Sequence, residues 1–172
     1  MALGNKNIVL VGFMGVGKSL ISNDLCKILK RKVFSIDRLI EVKEKSKIKT
    51  IFAKKGEVYF RRLERAMVQR VSKLNNAVID CGGGVVLDRR NMKDLKKNGI
   101  IFHLYASPKV IFKRIKGQKH RPLVNVKNPL KRITAILKAR KPFYAQADYA
   151  VDSNPADERV VSKEIIRILN HE

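Results

Sequence analysis

Residues 12 to 19 read Gly12-Phe13-Met14-Gly15-Val16-Gly17-Lys18-Ser19, a G-x-x-x-x-G-K-S pattern. The apolar run Ile8-Val9-Leu10-Val11 leads into it, and Ile21, Leu25, Ile28 and Leu29 follow at helical spacing. A strand, a glycine loop and a helix in that order are what a phosphate cradle requires. The glycines let consecutive backbone N–H groups turn inward without Cβ clashes. The helix N-terminus adds partial positive charge beneath the phosphates. The loop and first helical turn, Gly15, Val16, Gly17, Lys18, Ser19 and Leu20, are therefore the expected nucleotide-binding residues. Lys18 would reach the outer phosphates, and the Ser19 hydroxyl would hold Mg²⁺. So short a pattern also occurs in loops that bind nothing, but here the flanking strand and helix argue for the cradle.

The rest of the chain alternates strand and helix patterns. Lys32–Ser35 reads as a second strand, and residues 36–41 as a loop turning into a helix. Another helical turn opens near Lys49, with Thr50 as its candidate cap, and Gly56 breaks it. A long helix over about 57–73 carries Phe60, Leu63, Met67 and Val71 on one face. Ala77-Val78-Ile79 is a buried-type strand ending in Asp80-Cys81-Gly82-Gly83-Gly84. A helix over Asn91–Asn98, closed by Gly99, leads into the strand Ile100–Tyr105. Ser107 and Pro108 start the next helix as cap and first-turn residue, and Pro129 starts another that reaches about Lys141. Tyr149–Val151 is a last strand, and 155–169 a last helix. Such alternation predicts an α/β fold with a parallel sheet covered on both faces. The length predicts one domain, 1–172. Residues 116–128 are polar, basic and unperiodic, with too few apolar side chains to pack, and read as a mobile lid.

Composition narrows the partners. Thirty-eight Lys and Arg against fifteen Asp and Glu give a net charge of +23, which invites either nucleic acid or small anionic substrates. The basic residues are dispersed in groups such as Lys27/Lys30/Arg31/Lys32 and Lys43/Lys45/Lys47/Lys49, not fused into a tail. Few aromatics lie among them to stack on bases, so specific nucleic-acid binding is not expected. Two cysteines, Cys26 and Cys81, suit neither a metal site nor a disulfide framework and read as reduced thiols. The first residues lack a basic segment leading into a long apolar one, and no apolar run approaches membrane-spanning length. A cytoplasmic monomer without a membrane partner is the expectation.

Beyond the loop, several motifs make the chain resemble the shikimate kinase family of the nucleoside-monophosphate-kinase-like group over about residues 8–169. They are Asp37-Arg38-Leu39-Ile40-Glu41, Gly56-Glu57-Val58-Tyr59-Phe60-Arg61-Arg62-Leu63-Glu64, Gly82-Gly83-Gly84, Arg121-Pro122-Leu123 and Arg140-Lys141-Pro142-Phe143-Tyr144. The loop is common to many families; these motifs in this order are far more discriminating. The resemblance implies a three-layer α/β/α fold of P-loop kinase type with a five-stranded parallel sheet, a lid near 116–128 and a shikimate-binding segment near 36–65. It implies transfer of the ATP γ-phosphate, with Mg²⁺, to the 3-hydroxyl of shikimate, in aromatic amino acid biosynthesis. Lys18, Asp37 and Arg121 would be catalytic. Asp37 would orient or deprotonate the acceptor hydroxyl, and Arg121 would close with the lid over ATP. Asp37, Arg61, Gly82, Gly83, Gly84 and Arg140 would bind shikimate, the two guanidinium groups gripping its carboxylate. Without the resemblance, Asp37 reads equally as a helix cap, Arg61 as a solvated helix face, Arg121 as a loop charge and the glycines as a turn. His103, in an apolar strand, reads as structural.

Two departures stand out. The family pattern usually carries a second Asp two residues before Asp37, associated with the metal's water shell; here that position is Ser35. It usually has an apolar or small residue where this chain has Asp80. An acidic residue ending an apolar strand is how other phosphate-loop enzymes hold Mg²⁺, so Asp80, with Ser19, is a candidate for the metal through water. Strand alternation leaves its direction open. Two other functions compete: a kinase for another small acid or polyol such as gluconate, and a nucleotide-dependent nucleic-acid-binding protein with weakened catalysis.

Overall fold

The computed structural model describes residues 4–117, 126–154 and 157–171. Its central strand β1, Asn7–Val11, is buried along its whole length. Beside it run β2 (Lys32–Ser35), β3 (Ala77–Asp80), β4 (Gly99–Tyr105) and β5 (Tyr149–Asp152), all parallel, in the order β2-β3-β1-β4-β5. A parallel sheet needs crossover connections that cover both faces, which is why 8–11 of β1 and 77–79 of β3 are unbroken apolar runs.

Side-chain alternation splits the core in two. Val9, Val11, Ile79 and Ile101 face one side. They pack there against α2 (Ile36–Glu44), α3 (Ile48–Val71) and α4 (Arg89–Lys97) through Ile36, Ile40, Phe60, Met67, Met92 and Leu95. Ile8, Leu10, Val78, Phe102 and Leu104 face the other. They meet α1 (Lys18–Leu29), α5 (Pro108–Ile115) and α7 (Glu158–Asn170) through Ile21, Leu25, Ile111, Ile115, Val161 and Ile165. Helix α6 (Pro129–Tyr144) gives Tyr144 to the first layer and Ile133 to the second. This is the α/β/α sandwich expected, with the phosphate-loop strand between the triple-glycine strand and β4.

Local chemistry moves several boundaries. No loop precedes α2: it starts directly from β2 because Ser35 caps it, its Oγ accepting from Arg38 N at 3.4 Å. Thr50 is not a cap but lies inside α3, whose first turn is satisfied from outside, Glu41 Oε1 accepting from Ile48 N at 3.1 Å. Gly56 interrupts α3 as expected: at φ 78°, ψ 173° it is not helical, and two helical segments, 48–55 and 57–71, meet there at a kink. Asp88 caps α4 two residues earlier than expected. Gly99 does not close α4 but opens β4, where a Cβ would lie 2.8 Å from both Leu95 O and Val9 Cγ2. Ser107 and Pro108 start α5 as expected, Ser107 Oγ accepting from Val110 N. Helix α6 continues through Pro142 to Tyr144, and α7 starts at Glu158, capped by Asp157. Of the lid expected at 116–128, residues 118–125 lie outside the described residues. No helix among the described residues is long and apolar enough to cross a membrane.

Candidate active site

The phosphate loop sits at the C-terminal end of β1, where open α/β sheets place their ligand crevice. Gly12, Gly15 and Gly17 have φ of 153°, 80° and 97°. Space matters as much as conformation at two of them. A Cβ on Gly12 would overlap Leu104 O, and one on Gly15 would lie 2.7 Å from Ile115 Cγ2. Lys18 arches back over the loop, its Nζ donating to Gly12 O at 2.8 Å and Phe13 O at 3.1 Å. On α1's first turn, Ser19 Oγ donates to Asp80 Oδ2 at 2.7 Å. The open direction of Asp80 is thereby settled. It shares the face of Val78 and Leu10, towards α1 and the loop, in register with Leu10 on one side and Ser35 on the other.

Three expected acceptor-site residues come from distant parts of the chain and meet on the triple glycine. Asp37, on the first turn of α2, lies so close to Gly82 that a Cβ there would stand 2.5 Å from Asp37 Oδ1. A Cβ on Gly84 would overlap the Arg61 guanidinium. Arg140, from α6, donates to Gly83 O at 2.9 Å while its guanidinium lies over the Phe13 ring, 5.6 Å from the centroid. The backbone torsions of Gly82 and Gly84 do not demand glycine; what their missing side chains provide is room for a carboxylate and a guanidinium. Arg61 is held from the other side by Glu57 and Glu64, at 3.1 and 2.8 Å. Glu64 is buried, so it braces Arg61 from the interior, whereas Glu57 is exposed.

Loop and glycine run border one cavity of about 570 Å³, lined by Lys18, Ser19, Ser35, Asp37, Asp80, Gly82 and Gly83, among others. Burial pushes the Asp37 carboxyl above its ordinary value; Lys18 and Arg61 pull it down, while Asp80 and Glu41 push it further up. Asp80 is likewise raised by burial, against the pull of Lys18 and the Ser19 hydrogen bond. A carboxylate of raised basicity beside a cation is suited to accepting a proton or orienting a hydroxyl. A Ser hydroxyl turned towards a buried carboxylate at a helix N-terminus is a donor set that suits Mg²⁺, which binds through one or two protein oxygens plus phosphate and water. His103 stacks on Tyr144, ring centroids 4.2 Å apart, and burial together with Lys18 lowers its pKa to about 4. It stays neutral near pH 7, in keeping with the structural reading.

Arg121 lies outside the described residues. One wall of the cavity escaped the sequence reading: Arg114, on α5, donates to Gly15 O and Val16 O at 3.4 Å, and to Ser153 O and Asn154 O at 2.8 and 3.4 Å. It ties the phosphate loop to the loop after β5. Nothing in a lone arginine among so many marks it; only its position two turns into α5, on the side facing the loop, could have.

The family model for shikimate kinase matches residues 14–170. The shikimate kinase of Caldanaerobacter subterraneus subsp. tengcongensis is 44% identical over 94% of this chain and 95% of its own. Among solved structures, the shikimate kinase from Acinetobacter baumannii in complex with shikimate superposes with a TM-score of 0.91 at 33% identity, covering 96% of this chain and 93% of that one. The shikimate kinase from Aquifex aeolicus gives 0.84 at 33% identity, covering 95% and 96%. With the family model matched over nearly the whole chain and such relatives more than 30% identical, the chain belongs to the shikimate kinase family.

Proposed function

We propose that this chain transfers the γ-phosphoryl group of ATP to the 3-hydroxyl of shikimate. The observation that carries this reading is the convergence of Asp37, Arg61 and Arg140 on Gly82, Gly84 and Gly83, where Asp37, Gly82 and Gly83 line the same cavity as the phosphate loop. Two guanidinium groups on one backbone run suit the carboxylate of an acidic ring, and a carboxylate beside them suits its hydroxyl.

In this reading the nucleotide's phosphates lie in the glycine loop at the start of α1, and its base end points towards Arg114 and the Ser153–Asn154 loop. Lys18 exchanges its contacts with Gly12 and Phe13 for the transferring phosphate, spreading the charge that develops there. Arg61 and Arg140 seat the substrate carboxylate, and Glu64 keeps Arg61 from swinging. Asp37 accepts the hydroxyl hydrogen and holds the oxygen in line. Arg121 approaches with residues 116–128 and screens the phosphates. Ser19 would hold Mg²⁺ directly and Asp80 through water, and the bound ion would neutralise phosphate charge. Most of the acceleration then comes from positioning and charge neutralisation. One folded unit spanning 1–172, working as a cytoplasmic monomer, completes the proposal.

A coupled ADP-release assay with shikimate, with gluconate and without acceptor tests it. ADP release that depends on shikimate supports the reading. Turnover with gluconate alone would point to another acid kinase. Salt-resistant nucleic-acid binding without turnover would point to the third function.

A further inference from the structure

The in-register pairing of β2 with β3 puts Ser35 directly beside Asp80. Paired positions on neighbouring parallel strands lie about 5 Å apart and send their side chains to the same face. Here that face is the one covered by α1, since Val33 and Val78, two residues earlier on each strand, both pack into the α1 side of the core. A carboxylate at either position therefore addresses the same corner of the cavity, beside Ser19. In this chain the two positions have divided the work. Ser35 is engaged in capping α2, the helix that presents Asp37. Asp80, only 6% exposed, takes the hydroxyl hydrogen of Ser19. That bond has a directional consequence: with its hydrogen committed to Asp80, Ser19 Oγ can offer the cavity only lone pairs, the form in which a hydroxyl ligates a cation.

We infer that Asp80 is the positioning residue for the nucleotide's divalent metal, fixing Ser19 as a ligand and supplying the nearby negative charge, and that position 35 can take over this charge because it is the ladder partner of Asp80. The inference rests on the reading of the cavity as a Mg²⁺–nucleotide site.

The test is a Mn²⁺ titration of the full chain with saturating ADP, free Mn²⁺ being read by electron paramagnetic resonance, so that no turnover is needed. ADP binding in EDTA and the melting temperature are measured alongside. Asp80→Asn keeps an acceptor for Ser19 and removes the charge; Asp80→Ala removes both. The expected result is a weakening of Mn²⁺ binding by about 10-fold in Asp80→Asn and up to about 100-fold in Asp80→Ala, the range for groups that orient a metal ligand. Metal-free ADP binding stays unchanged, and Ser35→Asp added to either variant restores most of the loss. Mn²⁺ affinity in Asp80→Ala within about twofold of wild type would overturn the metal role, and loss without rescue by Ser35→Asp would overturn the exchange of positions. If the wild-type chain bound ADP but took up no Mn²⁺ with it, the inference would fail while the nucleotide reading stood. If it bound no ADP at all, that reading would fail first.

Discussion

Replacing Gly82 with alanine tests the acceptor site with a single methyl group. The Cβ would lie 2.5 Å from Asp37 Oδ1, 3.2 Å from Cγ and 3.4 Å from Oδ2. Ordinary contact begins near 3.4 Å, so the carboxylate must retreat by about 0.9 Å. Gly82 does not sit at positive φ, so alanine fits the backbone and the chain should fold with little change in melting temperature. The damage falls on alignment. A displacement of about 1 Å at a reacting group costs on the order of 100-fold in rate, equivalent to about 2.7 kcal/mol of barrier. The same logic at Gly84 predicts a different defect. There the methyl group meets the Arg61 guanidinium, so Gly84→Ala should raise the KM for shikimate by about 10-fold or more, with a smaller change in kcat. Steady-state kinetics by coupled ADP release, varying ATP and shikimate separately, distinguishes the two. A Gly82→Ala enzyme with kcat within about threefold of wild type would refute the claim that Asp37 acts from its position against that glycine.

Further outcomes follow from the same geometry. Arg61→Ala or Arg140→Ala should raise the KM for shikimate by about 10- to 100-fold, the loss of one charge-assisted contact of roughly 1.5–3 kcal/mol, and leave the KM for ATP nearly unchanged in the same assay. Lys18→Ala should lower kcat by about 10²- to 10³-fold, as removing a donor aimed at developing charge does; single-turnover kinetics would isolate that step. Burial holds the Asp37 carboxyl above the ordinary aspartate value of 3.8, so folding favours its protonated form. That stabilisation is complete below the unfolded value and is lost as pH rises through the folded one, leaving ionised Asp37 a net cost at neutrality. Asp37→Asn should therefore raise the melting temperature at pH 7 while abolishing most activity, and the thermal gain should close as pH falls towards 3.8; thermal melts across pH would show it.

Much of this site was legible because it is written in local patterns. The phosphate loop announces its own conformation: glycines at 12, 15 and 17 take up positive φ, and two of them also touch neighbouring atoms closely. Continuous apolar runs at 8–11 and 77–79 marked strands buried on both faces. What local pattern could not supply was the partner of each polar group. Thr50 looked like a cap, yet the amide at Ile48 is satisfied by Glu41, seven residues upstream. Gly99 looked like a helix terminator, yet it opens β4 paired with Asn7, at a point where its neighbours leave no room for a Cβ. The direction of Asp80 depended on the pleat and register of β3 between β1 and β2, which sequence alone leaves open. Arg114 was invisible for a similar reason: its four carbonyl acceptors lie on two loops, about forty and a hundred residues away along the chain.

The most direct test of the central claim is a ³¹P NMR spectrum of the enzyme with Mg²⁺, ATP and shikimate. A new phosphomonoester resonance, coupled to the ring proton at C3, should grow in step with ADP. ADP accompanied only by inorganic phosphate, or ATP left intact while shikimate is present, would contradict it.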